Sequence, residues 1–198
     1  MNGEAAAPAD PIAAFLRLFE EARERETSDH TAAALATADA LGRPAVRIVL
    51  VKIVDARGFR FFTHLDSRKG RELAANPQAA LAFHWHALAR QVRVEGIAAP
   101  IPEDESDTYF ASRPEGSRYS AAASPQSQVI GDPAELEAAV ARLRARHPDG
   151  DVPRPERWGG YRLVPDVVEF WQQGADRLHD RLRYRREGGA WVIERLAP

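Results

Sequence analysis

The chain has 198 residues, 44% of them apolar and 28% charged, with a formal net charge of -2 and no cysteine. That length and apolar content suit one domain with a real hydrophobic core, and the charge balance excludes a general nucleic-acid binder. The absence of cysteine excludes disulfides, thiolate catalysis and cysteine-held metals, and no run approaches the roughly 18 apolar residues of a membrane span.

Residues 1–9 read as a disordered tail, small and polar, without the basic stretch and apolar run of a signal peptide. A cytoplasmic protein is expected, with residues 10–198 forming a single domain. Asp10 and Pro11 open a helix as N-cap and first helical residue, and Ile12, Phe15, Leu16 and Phe19 give it one apolar face. From Thr31 the period changes. Strands are predicted over 33–37, 46–52 and 59–63, separated by turns at 39–43 and 56–58. Ser67 to Ala75 reads as a short helix ended by Asn76-Pro77. Two further strands follow over 80–86 and 91–100, the second alternating Val92 and Val94 with Arg93 and Glu95.

A helix is predicted from Pro102 to Ser112. Residues 113–130, rich in Pro, Gly, Ser and Gln, read as an irregular loop. Asp132-Pro133 starts another helix, and 147–157 is a Pro-rich connector. Strands over 160–164 and 167–172 and a hairpin over 182–196, turning at Gly188-Gly189, close the chain. Short strands in succession with few helices between them predict a mainly β fold with peripheral helices (α+β), an antiparallel barrel with helices packed outside.

No Gly-rich phosphate loop is present. An anion would have to be met by side chains and helix N-termini, and three groups offer this. Arg47 and Lys52 share a strand, while Arg68 and Lys69 follow Ser67 at a helix start. Arg177, His179 and Arg181 would share one face of a strand and combine cations with a proton-transfer group. Tyr109 and Arg113 stand i, i+4 on a helix, with Ser117 in the loop beyond. By spacing alone, the first two groups read more simply as solvated surface charge, and the third equally as a helix terminus and its turn. His84 and His86 have no third ligand in sight, so no metal is expected. Trp171 reads more simply as core than as a stacking platform.

Taken together, these segments resemble the pyridoxamine 5'-phosphate oxidase family. The likeness is carried by Arg47 to Lys52, Phe62-Thr63 with Ser67-Arg68-Lys69-Gly70, and Arg90 to Gly96. Further on it is carried by Tyr109-Phe110 with Ser112-Arg113-Pro114, Gln126-Ser127, Trp158 to Arg162, Glu169 to Gln172, and Arg177 to Arg181. It runs from about Asp10 to Pro198. The resemblance implies a homodimer of FMN-binding split β-barrels, antiparallel, with the flavin at the subunit interface. By the same resemblance Arg47, Ile48, Val49, Leu50, Val51, Lys52, Phe62 and Thr63 would line the flavin, and Arg68 and Lys69 would take its phosphate. Gln91, Gln126, Ser127, Trp171 and Arg181 would complete the flavin site, some from the partner subunit. Lys52, Tyr109, Arg113 and Ser117 would hold a substrate phosphate, with Arg177 and His179 as catalytic residues over the reacting carbon.

The implied chemistry is oxidation of pyridoxamine or pyridoxine 5'-phosphate to pyridoxal 5'-phosphate, with dioxygen as acceptor and hydrogen peroxide as product. Two departures touch the substrate side. The run Arg118-Tyr119-Ser120-Ala121-Ala122-Ala123-Ser124 stands where the family usually has Ile-Gly-Ala-Trp, with Ala122 in the aromatic's place. The residues before Asp10 also lack the Arg and Tyr of the family's N-terminal arm. Both departures resemble the flavin oxidases of phenazine biosynthesis, which act on a bulkier substrate. A flavin- or pyridoxal phosphate-binding protein without catalysis is the remaining alternative.

Overall fold

The computed structural model describes residues 8–198. Residues 1–7 of the expected tail lie outside the described residues. Helix α1 (Pro11–Arg25) starts as its sequence demands: the Asp10 carboxylate accepts the Ile12 amide at 3.0 Å, and Pro11 gives up no needed donor. Its apolar face buries Ile12, Phe15 and Ala22. Phe15 is fully enclosed and meets Phe59 and Phe83 edge-on, at centroid distances of 4.8 and 4.9 Å.

Strands β1 (Ala32–Ala38), β2 (Pro44–Asp55) and β3 (Gly58–His64) form an antiparallel meander. Helix α2 (Arg68–Ala75) follows, capped by the Ser67 hydroxyl on the Gly70 amide. Next come β4 (Gln78–Trp85), β5 (Arg90–Pro100), and helices α3 (Glu103–Ser112), α4 (Glu115–Ala123) and α5 (Pro133–Arg146). The chain ends in β6 (Trp158–Gln172), β7 (Asp180–Glu187) and β8 (Ala190–Arg195). The strand order is β3-β2-β1-β4-β5-β6-β7-β8, and a further β3–β6 ladder closes the first six into an antiparallel barrel. The expected β-rich barrel with outer helices is therefore the observed fold. Its interior is filled by residues such as Leu35, Val51, Phe61, Leu81, Val94 and Leu163.

Three expectations need correction. Residues 115–123 are helical rather than irregular. Glu115 occupies the first turn, the Ala121-Ala122-Ala123 run favours helix, and Tyr119 is enclosed with its hydroxyl bonded to the His147 carbonyl. Ser117 thus lies on α4, not in a loop.

The stretches 160–164 and 167–172 are one bent strand, β6. Its ladder with β5 skips a residue at Pro165-Asp166, opposite Glu95/Gly96. A Cβ on Gly96 would stand 2.0 Å from the Val164 carbonyl oxygen, so this approach requires glycine.

Finally, β7 begins only at Asp180, so Arg177 and His179 are not strand residues and share no strand face with Arg181. They belong to a tight loop in which Asp176 and Arg177 have positive φ (51° and 65°). At its base, a Cβ on Gly174 would fall 1.9 Å from the Leu178 carbonyl oxygen.

Because Phe15 is the plug that α1 drives into the barrel wall, Phe15→Ala is expected to cost about 3–5 kcal/mol and lower the melting temperature by roughly 10 °C. Scanning calorimetry measures this. A change of less than about 2 °C would remove α1 from the cooperative core.

Candidate active site

The outward side chains of β2 are unusual for a water-facing strand. Val46, Ile48 and Leu50 are 71%, 66% and 43% exposed, while Arg47, Val49 and Val51 turn inward. Above this apolar stripe lies a cleft of about 430 Å³. Ile48, Val49, Leu50 and Lys52 supply one wall, and Phe62, Thr63 and His64 of β3 the next. Tyr109 and Arg113 close it from α3, with Ser120, Ala121, Ser124 and Gln126 arriving from α4 and the segment after it. Val51, by contrast, is fully buried in the barrel core.

One end of the cleft is cationic. Lys69 Nζ bonds the Thr63 hydroxyl at 3.0 Å, the Gln126 side-chain oxygen at 2.9 Å and the Ser67 hydroxyl at 3.4 Å. Burial, reinforced by the charge on Arg47 and opposed by Glu72, lowers this ammonium to about 8. Arg47 and Arg68 both reach the Glu72 carboxylate, each at 2.8 Å. Thus Arg47, Thr63, Arg68, Lys69 and Gln126, from β2, β3, α2 and the segment after α4, lie in one linked group. Ser127 sits beside Gln126 with φ 69°, in the turn that carries it there.

The other end is aromatic and basic. Phe62 stacks on Tyr109 at 3.6 Å and on Trp158 at 5.7 Å, both at 11°. The Arg113 guanidinium lies 5.0 Å from the Trp158 ring centroid. Burial lowers the Arg113 pKa, and its Nη1 is buried without a hydrogen-bond partner, a donor aimed at no protein acceptor. Lys52 is held by Asp29 at 3.1 Å. Burial would raise the Asp29 pKa, but bonds from Thr31 and from Lys52 outweigh it and hold the carboxyl at about 2. Ser117, in the first turn of α4, is half-buried and does not line the cleft.

The remaining expected residues form a separate group. The register pairs Gln91 with Trp171 and Trp171 with Arg181, setting the three in a row across β5, β6 and β7. Trp171 is half-buried, and its ring lies 4.5 Å from that of His179. His179 Nδ1 accepts the Gly174 amide at 3.3 Å, so the neutral imidazole carries its proton on Nε2. Arg181 is braced by buried Glu169 at 2.9 Å and by the Ala197 carbonyl at 2.8 Å. Arg177 is exposed. Among the described residues, none of this group lines the cleft.

Sequence reasoning did not single out Glu72, Asp29, Glu169, His64 or the Phe62–Tyr109–Trp158 stack. Arg68 and Glu72 stand i, i+4 and could have been paired from spacing. The other partners are distant in the chain and left no such signal. No cluster of three metal-ligating side chains occurs among the described residues. Likewise, no described helix is long and apolar enough to cross a membrane.

The family profile described as pyridoxamine 5'-phosphate oxidase matches residues 18–147. A second, described as the pyridoxine 5'-phosphate oxidase C-terminal dimerisation region, matches 158–198. A pyridoxine/pyridoxamine 5'-phosphate oxidase of Anaeromyxobacter dehalogenans is 56% identical over 193 residues, covering 98% of this chain and 97% of its own. The enzyme of that name from Pseudomonas paraeruginosa is 53% identical over 197 residues, covering 98% and 92%. Among solved structures, PhzG of Burkholderia lata in complex with tetrahydrophenazine-1-carboxylic acid superposes with a TM-score of 0.92 at 37% identity. That match covers 98% of this chain and 95% of the other.

An anion held by Lys69 should bind while the amine is charged and weaken as pH rises through about 8. Sulfate, which does not titrate in this range, is the probe. Calorimetric titration between about pH 6.5 and about pH 9.5 should show the decline in the wild type and a flat profile in Lys69→Met. A flat wild-type profile would exclude Lys69 from the anion site.

Proposed function

The chain belongs to the pyridoxamine 5'-phosphate oxidase family and is an oxidoreductase of that type, and from this premise we propose that it oxidises pyridoxamine or pyridoxine 5'-phosphate with FMN as cofactor. The single observation that carries the proposal is a cleft lined by cations at two places, Lys69 at one, with Arg47 and Arg68 gathered on Glu72 behind it, and Lys52 and Arg113 at the other. One phosphate for the cofactor and one for the substrate match that layout.

The donor set suits FMN. Two guanidiniums and an ammonium, with the Thr63 hydroxyl and Gln126 amide beside them, offer the charge-assisted bonds a phosphate monoester requires. The exposed apolar edges of Ile48 and Leu50 offer a flat ring a surface. Bound FMN would supply two-electron acceptance from the substrate carbon and delivery of those electrons to dioxygen as hydrogen peroxide. With pyridoxine phosphate the alcohol carbon loses two electrons and two protons. With pyridoxamine phosphate, water then displaces ammonia.

The protein's own contribution is orientation and charge. The unpartnered Nη1 of Arg113 is a ready donor to the substrate phosphate, with Lys52 and Tyr109 beside it. The reading includes a homodimer in which one protomer's Trp171, Arg177, His179 and Arg181 complete the partner's cleft. Support comes from the dimerisation-region match over 158–198, which contains all four, and from the exposed apolar stripe on β2. His179 would present Nε2–H and Arg177 its cation to the substrate.

A second reading, an oxidase acting on a bulkier tricyclic substrate, draws on Ala122, a small residue where the resembled family usually carries an aromatic. It draws also on the likeness to PhzG. The relatives at 53–56% identity favour the phosphorylated vitamer.

FMN-loaded protein should turn over pyridoxine 5'-phosphate aerobically with one peroxide formed per pyridoxal phosphate. No turnover, alongside oxidation of a dihydrophenazine carboxylate, would replace the first reading with the second. Arg113→Ala should raise KM roughly 10–100-fold, the worth of one charge-assisted contact, and Arg177→Ala with His179→Ala should lower kcat at little cost in melting temperature. Steady-state kinetics measure both effects, and an unchanged KM in Arg113→Ala would remove that residue from the phosphate site.

A further inference from the structure

A carboxylate sits in the middle of the cations that would meet the cofactor phosphate. Glu72 is 5% exposed, and both its oxygens are engaged. One accepts the Thr37 hydroxyl at 2.5 Å and Arg47 Nη2 at 2.8 Å, and the other accepts Arg68 Nε at 2.8 Å. It is ionised: burial pushes its pKa up, but the bonds from Thr37, Arg47 and Arg68 outweigh that and bring it below the usual value. The two guanidiniums come from different elements, β2 and α2, and repel each other. Arg47 is further tied through Nη1 to the Thr37 hydroxyl and the Leu35 carbonyl. Arg68 is gripped through Nε, which leaves its two Nη groups for another acceptor.

An acid beside a phosphate site costs repulsion with the ligand. Its presence makes physical sense where it sets the cations in place. We propose that Glu72 is a positioning residue for the cofactor phosphate, locking Arg47 and Arg68 into one fork. Its charge also opposes the lowering that burial and Arg47 impose on the Lys69 ammonium. This rests on the FMN reading above. Lys69 is faced by Thr63 of β3, Ser67 at the start of α2 and Gln126 beyond α4. The charged and titratable groups that act on it are Arg47 and Glu72, and it in turn acts on His64. Of these, Glu72 is the one anion.

The test compares FMN with riboflavin, which carries the same ring system without the phosphate. Flavin-free wild type, Glu72→Gln and Glu72→Asp are titrated with each ligand by flavin fluorescence between about pH 6.5 and about pH 9.5. In Glu72→Gln, FMN affinity should fall about tenfold at neutral pH while riboflavin changes less than about twofold. The pH at which FMN binding weakens should also move below the wild-type value, because Lys69 has lost its countercharge. Glu72→Asp keeps the charge but shortens the reach, so it should restore the pH break while FMN affinity stays reduced.

Equal loss of both ligands, or an unchanged FMN affinity and break in Glu72→Gln, overturns this assignment and leaves the FMN reading standing. Wild-type protein that binds FMN no better than riboflavin overturns both. If Glu72→Gln does not fold, Glu72→Asp decides alone: an FMN-to-riboflavin preference equal to wild type overturns the assignment.

Discussion

The fifteen residues of β6 are paired on both edges, but with different neighbours in their two halves. The first half joins β3 and closes the barrel, while the second half, still paired with β5, carries β7 and β8. The change of partner happens at the Pro165-Asp166 bulge, where Gly96 lets the strands come close. Both parts of the proposed site hang on this bend. Closure with β3 sets Phe62, Thr63 and Trp158 into the cleft wall, and the switch to β7 sets Trp171 beside Arg181. A straight β6 could not serve both.

Charge is distributed with the same economy. The chain is close to neutral overall, yet cations gather in and beside the cleft and again across β5, β6 and β7. Each gathering has an acid attached: Glu72 among Arg47 and Arg68, Asp29 on Lys52, Glu169 between Arg93 and Arg181. The acids let like charges be packed together in the absence of a ligand. The cost is that a bound anion must share its cations with a carboxylate, which fixes direction more than it adds affinity.

Local signals were legible in the sequence and long-range ones were not. Asp10-Pro11 and Ser67 announce their helices because capping is a matter of three consecutive residues. The strand β2 reads from its β-branched run. Residues 115–123 misled because Pro, Gly and Ser punctuate a stretch that Tyr119 and the alanines nonetheless fold as helix. Pro165 misled in the opposite way, since a bulge inside one strand looks like a break between two. Arg177 and His179 were placed on a strand by the two-residue period, but Gly174 allows a tight return that abolishes the period there. Glu72 showed only its helix neighbour Arg68 by spacing, because its other partners Arg47 and Thr37 lie 25 and 35 residues away. The convergence of the cations was recovered only through family resemblance, which carries three-dimensional information that spacing lacks.

The stack of Phe62, Tyr109 and Trp158 has one more consequence. The chain has four tryptophans, and they occupy unlike surroundings: Trp85 in the core, Trp191 under Arg186, Trp171 against His179, and Trp158 on the cleft wall. An indole on the cleft wall transfers its excitation to a neighbouring chromophore whose absorption overlaps indole emission, as a flavin's does. The protein therefore carries an internal optical gauge of occupancy, readable from its own ultraviolet emission without any added label.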